Sequence, residues 1–170
     1  MLSPKGKGLR PTTSKVRRAL FDILESVAPN WERVLDLYAG TGALGIEALS
    51  RDAGWVDFIE SNPQFCQTIR ANLERLGFQD RAGVRCQPLP RALKGLSGGY
   101  NIVLMDPPYA QDTGATLVRD LIRLSLVTEG TVIALEHGRG GSIDLDEPLL
   151  KLYRERSYGD TRLSIYTIGG

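Results

Sequence analysis

Residues 34–49 read VLDLYAGTGALGIEAL: a short apolar run, a loop with glycines at 40, 42 and 45, and then apolar residues at helical spacing. No other stretch limits the fold as strongly. Glycines at G-x-G-x-x-G spacing between a strand and a helix provide a tight turn, a close approach of backbone to a ligand, and close packing of helix on strand. A strand that feeds a helix in this way opens a right-handed crossover, and such crossovers build parallel sheets covered on both faces.

The rest of the chain keeps the alternation. Val16, Ala19, Leu20, Ile23, Leu24 and Val27 fall at helical spacing, with Thr13 or Ser14 able to cap the start. Residues 33–38 read as a buried strand, 43–51 as a helix and 54–60 as a second strand. The next helix is predicted from Asn62 as its N-cap and Pro63 at its first position, with Gly77 just past its end and Phe65, Ile69, Leu73 and Leu76 on one face. Residues 82–87, 100–105 and 130–136 read as further strands, and 113–126 as a helix between the last two. The tail folds back around Gly159 and Asp160, which is hairpin chemistry. The expectation is an α/β domain with seven strands, mostly parallel, closed by an antiparallel C-terminal hairpin.

At 170 residues, 42% hydrophobic and 24% charged, the chain fits a single domain spanning 1–170. It contains no apolar run near the roughly 18 residues needed to span a bilayer, and MLSPKGKGLRPTTSK carries no apolar leader core, so a cytoplasmic protein without a membrane partner is expected. Cys66, Cys86 and the single His137 give neither a disulfide framework nor a metal-ligand spacing. Both cysteines are expected to pack as small apolar residues, and no metal is expected. His137, at a strand end, is expected to be a satisfied polar residue, and Trp31 and Trp55 are expected to pack before their strands.

The net charge of +1 conceals an asymmetry. Residues 1–18 hold six of the 21 basic residues and no acid, which leaves 15 basic against 20 acidic residues in the body. A basic arm on an acidic body suits phosphate contact. Lys15, Arg17 and Arg18 fall near the start of the first helix, where the macrodipole favours anions, so a phosphate at that end would offset an otherwise unfavourable placement.

Two acids and a proline pair give the site its chemistry. Asp36, four residues before Gly40, would repel a dinucleotide's pyrophosphate and attract a ligand bearing positive charge. S-adenosylmethionine, with a sulfonium and an ammonium, is such a ligand. Glu60, 20 residues past Gly40 at a strand end, is placed to accept hydrogen bonds from a ribose diol. In NIVLMDPPY the prolines fix two φ angles and bias the preceding residues to extended geometry, so Asp106 and Pro107 sit in a stiff turn after a strand. The Asp106 carboxylate and the Pro107 carbonyl can accept the protons of an exocyclic amine whose lone pair is delocalised into a base. Such acceptors help only if they are placed before the reaction. Tyr109 offers a face for an extruded base. The proton could leave to Asp106 or to water.

LRPTTSKVRRALFDIL, VLDLYAGTGALGIEALSR, FIESN, NIVLMDPPY and YGDTRLSIY together resemble the RsmD-type 16S rRNA guanine-N2 methyltransferases along nearly the whole chain. The tetrapeptide DPPY alone is also similar to adenine-N6 and cytosine-N4 DNA methyltransferases. The resemblance implies a Rossmann-like class I methyltransferase fold. It implies transfer from S-adenosylmethionine, leaving S-adenosylhomocysteine, to guanine 966 of 16S rRNA within a partly or fully assembled small subunit. It further implies a donor site at Asp36, Tyr38, Ala39, Gly40, Thr41, Gly42, Glu60, Ser61 and Asp106, and an amine site at Asp106, Pro107, Pro108 and Tyr109. Arg10, Pro11 and Thr12, with Lys15, Arg17 and Arg18, are expected beside the donor pocket and the RNA. This chain has Ser14 where the family usually has Asp, and Pro88 in the segment that usually offers Asp or Asn to the adenine; Gln87 or the Leu89 amide would serve there. A monomer is expected.

Three other readings remain on sequence grounds. A DNA adenine or cytosine methyltransferase would need a target-recognition domain, for which 170 residues leave no room. A catalytically silent RNA-binding assembly factor would tolerate Asp106→Ala. A small NAD-dependent oxidoreductase would bind NADH rather than S-adenosylmethionine.

Overall fold

Strands at the observed spacing assemble into one seven-stranded sheet with helices on both faces. The computed structural model describes residues 13–108, 114–138 and 147–169. In chain order the elements are α1 (Ser14–Val27), β1 (Arg33–Leu37), α2 (Ala43–Ser50), β2 (Trp55–Glu60), α3 (Pro63–Leu76), β3 (Ala82–Cys86), β4 (Tyr100–Met105), α4 (Gly114–Arg123), β5 (Val127–Gly138), β6 (Leu150–Tyr158) and β7 (Thr161–Ile168). Single-turn helices cover Gln79–Arg81 and Arg91–Gly95.

The sheet order is β3-β2-β1-β4-β5-β7-β6. The first five strands run parallel, and β7 pairs antiparallel with both β5 and β6, as the tail's hairpin chemistry predicts. After β1 the chain steps outward to β2 and β3, then returns to place β4 on the other side of β1. In an open parallel sheet this reversal opens a crevice at the carboxyl ends of the strands. The glycine loop after β1 and the proline pair after β4 flank that crevice.

Residue alternation divides the core in two. Val34, Phe58, Ile102, Leu104, Val132, Ala134, Leu163 and Ile165 face α1, α2 and α3, whereas Leu35, Leu37, Ile59, Val103, Met105, Ile133 and Leu135 face α4. Thr13 caps α1 by accepting the Val16 amide, and Asn62 caps α3 by accepting the Gln64 amide. Gly77 ends α3 at φ 76°, a left-handed conformation that glycine adopts without a Cβ penalty.

Several expectations need correction. The α3 face turned to the sheet carries Cys66, Ile69, Asn72 and Leu73, while Leu76, expected inside, is exposed. Trp31 packs against the core, but Trp55 is exposed and donates its indole N–H to Asp57 at 3.0 Å. Strand β5 begins at Val127 rather than at 130, because the Thr131 hydroxyl bridges the Thr128 amide and the Tyr100 carbonyl and draws the preceding turn into register. Cys66 and Cys86 are not isolated apolar fillers. Parallel pairing sets Cys86 beside Glu60, the start of α3 brings Cys66 back over the same strand end, and the two cysteines form a disulfide with Cα atoms 6.0 Å apart.

Candidate active site at the strand ends

The glycine loop adopts the geometry that its spacing demands. Gly40 and Gly42 have φ of 59° and 83°, and Tyr38 enters the loop at φ 56°. The Gly42 amide donates to the Ala39 carbonyl at 2.8 Å, closing the turn, and the Gly42 carbonyl accepts from Ile46 as α2 begins. A Cβ on Gly45 would run into the Phe58 ring and come within 3.0 Å of an Asp36 oxygen, so helix and strand approach as closely as backbone permits. Thr41 is buried, and its carbonyl accepts from the Asn72 side chain.

Asp36 lies beneath this loop, 1% exposed, and its Oδ2 accepts the Gly45 amide at 2.9 Å. A free N–H at the start of α2 would be an anion site, but a carboxylate already occupies this one. Burial pushes the Asp36 carboxyl up to about 7 against the pull of the Gly45 amide, and the charge of Glu60 adds to the rise. A positive charge placed beside such a carboxyl would favour its ionised form.

Glu60 closes the other side. Its Oε1 accepts the Gly40 amide at 2.9 Å and its Oε2 accepts the Asn62 amide at 2.8 Å, so the carboxylate ties the glycine loop to the start of α3. Each oxygen still has acceptor capacity, because a carboxylate oxygen offers about two lone-pair directions. Ser61 is exposed next to it. Gln87 is exposed just past β3, whereas the Leu89 side chain packs into the core on the α4 side.

On the far side of the crevice, Met105 pairs with Leu37 on one side and Leu135 on the other. Asp106 follows directly, just past the end of β4. Asp106 is half-buried, Pro107 buried and Pro108 exposed, and none of the three belongs to a helix or strand. Strand alternation turns Asp36, Glu60 and Glu136 to the face covered by α1–α3. Glu136 is 6% exposed and adds a carboxylate that carries no sequence signal; only the β4–β5 register reveals it.

His137 stays out of the crevice. It is buried, with Nδ1 2.9 Å from the Gly138 carbonyl and Nε2 2.8 Å from the Ser164 hydroxyl, as a satisfied polar residue should be. Lys15 and Arg18 are exposed and Arg17 is half-buried in the first turns of α1, which holds no acid in its first turn. Because α1 ends beside the start of β1, its basic end lies at the crevice end of the sheet. Arg10, Pro11, Thr12 and Tyr109 lie outside the described residues. Among the described residues no group of three or more His, Cys, Asp or Glu is placed to hold a metal, and no helix is long and apolar enough to cross a membrane.

The chain is similar to known proteins along nearly its whole length. A family model described as "Conserved hypothetical protein 95" matches residues 1–167. Ribosomal RNA small subunit methyltransferase D of Escherichia coli K12 is 31% identical over 164 residues, covering 96% of this chain and 81% of the relative. A conserved hypothetical protein from Streptococcus pyogenes superposes with a TM-score of 0.84 at 29% identity, covering 91% of this chain and 96% of that one. An RNA methyltransferase from Salinibacter ruber, solved in complex with S-adenosyl-L-homocysteine, has the same fold, with a TM-score of 0.70 at 19% identity and 94% coverage of both chains.

Proposed function

Since this chain belongs to the Conserved hypothetical protein 95 family, the RsmD-type rRNA methyltransferases, we propose that it methylates the exocyclic N2 of a guanine in 16S rRNA, with S-adenosylmethionine as donor. The name of that relative supports small-subunit rRNA as the substrate; guanine 966, within a partly or fully assembled particle, is the target that the family resemblance implies.

The observation that carries the reading is the buried Asp36 carboxylate bound to the first turn of α2. It fills the place a pyrophosphate would take and favours a ligand with positive charge, which argues for S-adenosylmethionine over a nicotinamide dinucleotide. Residues present on this rim fit that donor. Asp36 would face its charged end, Glu60 its ribose hydroxyls, the Tyr38–Gly42 loop its backbone-facing edge, and Gln87 or the Leu89 amide its adenine. When bound, S-adenosylmethionine supplies an electrophilic methyl carbon.

The chain's own residues do the rest. The Asp106 carboxylate and the Pro107 carbonyl accept hydrogen bonds from the two N2–H groups and turn the nitrogen lone pair out of conjugation with the ring; one of those protons leaves to Asp106 or to water once the methyl group is transferred. The proline pair keeps these acceptors fixed, so no reorganisation is needed as charge develops on nitrogen. Tyr109 stacks on the extruded base. Lys15, Arg17 and Arg18, in the first turns of α1, hold the flanking phosphates, and Arg10, Pro11 and Thr12 belong to the same RNA-binding segment of the sequence.

The experiment is to incubate the protein with S-adenosylmethionine labelled in the methyl group and small subunits lacking the modification, then map the labelled nucleotide. Label on the N2 of one rRNA guanine is the expected result. Label on protein or DNA with none on rRNA guanine overturns the substrate assignment.

A further inference from the structure

Strand β6 forms one free edge of the sheet and reads LKLYRERSY. Strict alternation would place Lys151, Tyr153 and Glu155 on one face and Leu152, Arg154 and Arg156 on the other. The structure breaks that alternation. Leu152 pairs with Tyr166 and Arg154 pairs with the adjacent Ile165, so Tyr153 is the extra residue of a β-bulge. A bulge shifts the phase of everything after it. Lys151, Arg154, Arg156 and Tyr158 now share the face of Thr167, Ile165, Leu163 and Thr161. Tyr158 confirms the face by packing against the core beneath α1. Glu155 confirms the opposite one: it accepts the Ser164 hydroxyl at 3.0 Å and pairs with Arg162 at 3.3 Å.

The bulge therefore sorts charge, placing three cations on one face and their only acidic neighbour in the strand on the other, already neutralised. Lys151 and Arg156 are exposed, Arg154 is half-buried, and none of them forms an ion pair among the described residues. Tyr153 is 45% exposed, and the Arg154 guanidinium lies 5.4 Å from its ring centre. Helix α1 packs on the same face of the sheet, with Lys15, Arg17 and Arg18 at its crevice end. Cations on an edge strand also deter edge-to-edge pairing, but either face would serve that purpose, and a bulge that gathers them on one face exceeds the need.

We propose that the α1 face of β6, through Lys151, Arg154 and Arg156 with Tyr153 as a stacking platform, is an RNA-backbone contact surface that extends the basic end of α1 along the sheet edge. The occupant follows from charge complementarity and from the pairing of cations with an exposed aromatic ring, the combination that tracks a single strand of nucleic acid. The inference rests on the rRNA reading above and deepens it by naming where RNA beyond the target nucleotide lies.

The test compares the full-length protein with K151Q/R154Q/R156Q and with a control that removes the same number of cations from the α4 face, K94Q/R119Q/R123Q. Binding of a fluorescein-labelled, protein-free 16S rRNA fragment is titrated across salt concentrations, and donor binding is followed by calorimetry. The β6 variant should bind RNA about 10- to 100-fold more weakly near 0.1 M salt, and its log K against log [salt] slope should be shallower by about two to three. Donor affinity and melting temperature should match wild type, and the control should bind like wild type. Tyr153→Ala should weaken RNA binding about fivefold or more without changing the slope. Wild-type RNA affinity in the β6 variant overturns the proposal, as does an equal loss in the control. So does a defect seen only on assembled subunits, which would point to ribosomal protein. Methylation of rRNA guanine by wild type alongside any of these outcomes leaves the enzyme assignment intact and sinks the β6 surface alone.

Discussion

The Asp36 carboxylate accepts the Gly45 amide at 2.9 Å beneath the glycine loop, and burial holds its proton affinity near neutrality. One residue thus shapes the start of α2 and, in the function proposed above, supplies the charge that meets the donor.

Donor affinity should accordingly rise with pH. With a carboxyl titrating at about 7, roughly one-tenth is ionised at pH 6 and nine-tenths at pH 8, so S-adenosylmethionine should bind about tenfold more tightly at the higher pH. Calorimetry at the two pH values checks this. Asp36→Asn should bind weakly and lose the dependence. Fold stability should move the other way. The folded state holds a proton that the unfolded chain has released, so Asp36's contribution is fully present below about pH 4 and is lost as pH rises through about 7. Urea titrations across that window should show a decline that Asp36→Asn abolishes.

Gly45→Ala should destabilise the fold by about 1–3 kcal/mol, because the added methyl collides with the Phe58 ring and crowds Asp36 in a packed core. Denaturant melts would show a lower midpoint at unchanged slope. Gly77→Ala, with nothing within 4 Å of the added Cβ but with φ at 76°, should cost less, through backbone conformation alone.

Glu60→Gln replaces one of two acceptor oxygens with a donor that must face the Gly40 or the Asn62 amide. Leaving that backbone donor unsatisfied costs about 1–3 kcal/mol of fold stability, and the loss of one acceptor oxygen toward the ribose should weaken donor binding. Competition with adenosine should weaken in parallel, because the ribose contact is the one disturbed. Unchanged affinity for both would remove Glu60 from the donor site.

What could be read in advance followed the range of the interactions. Asp36, Gly40, Gly42 and Gly45 act on one another within nine residues, so spacing alone announces their turn, and Glu60 is legible because one crossover returns the chain to the neighbouring strand end. The Cys66–Cys86 bond was not legible, since it depends on β3 pairing with β2 and on α3 beginning over that pair. The burial of Glu136 at the end of β5 depends on strand register, and the Tyr153 bulge on a pairing shift that no local residue preference marks. Leu76 misled because helical periodicity gives a face but not where that face stops being covered.

The central claim is that Asp106, directly after the Met105 that pairs with Leu37, accepts a hydrogen bond from the N2 amine and makes a delocalised nitrogen reactive. Single-turnover methylation by Asp106→Asn, with RNA and donor both saturating, tests it most directly. A rate about 10²- to 10³-fold below wild type is the predicted result. A wild-type rate in that variant would contradict the account.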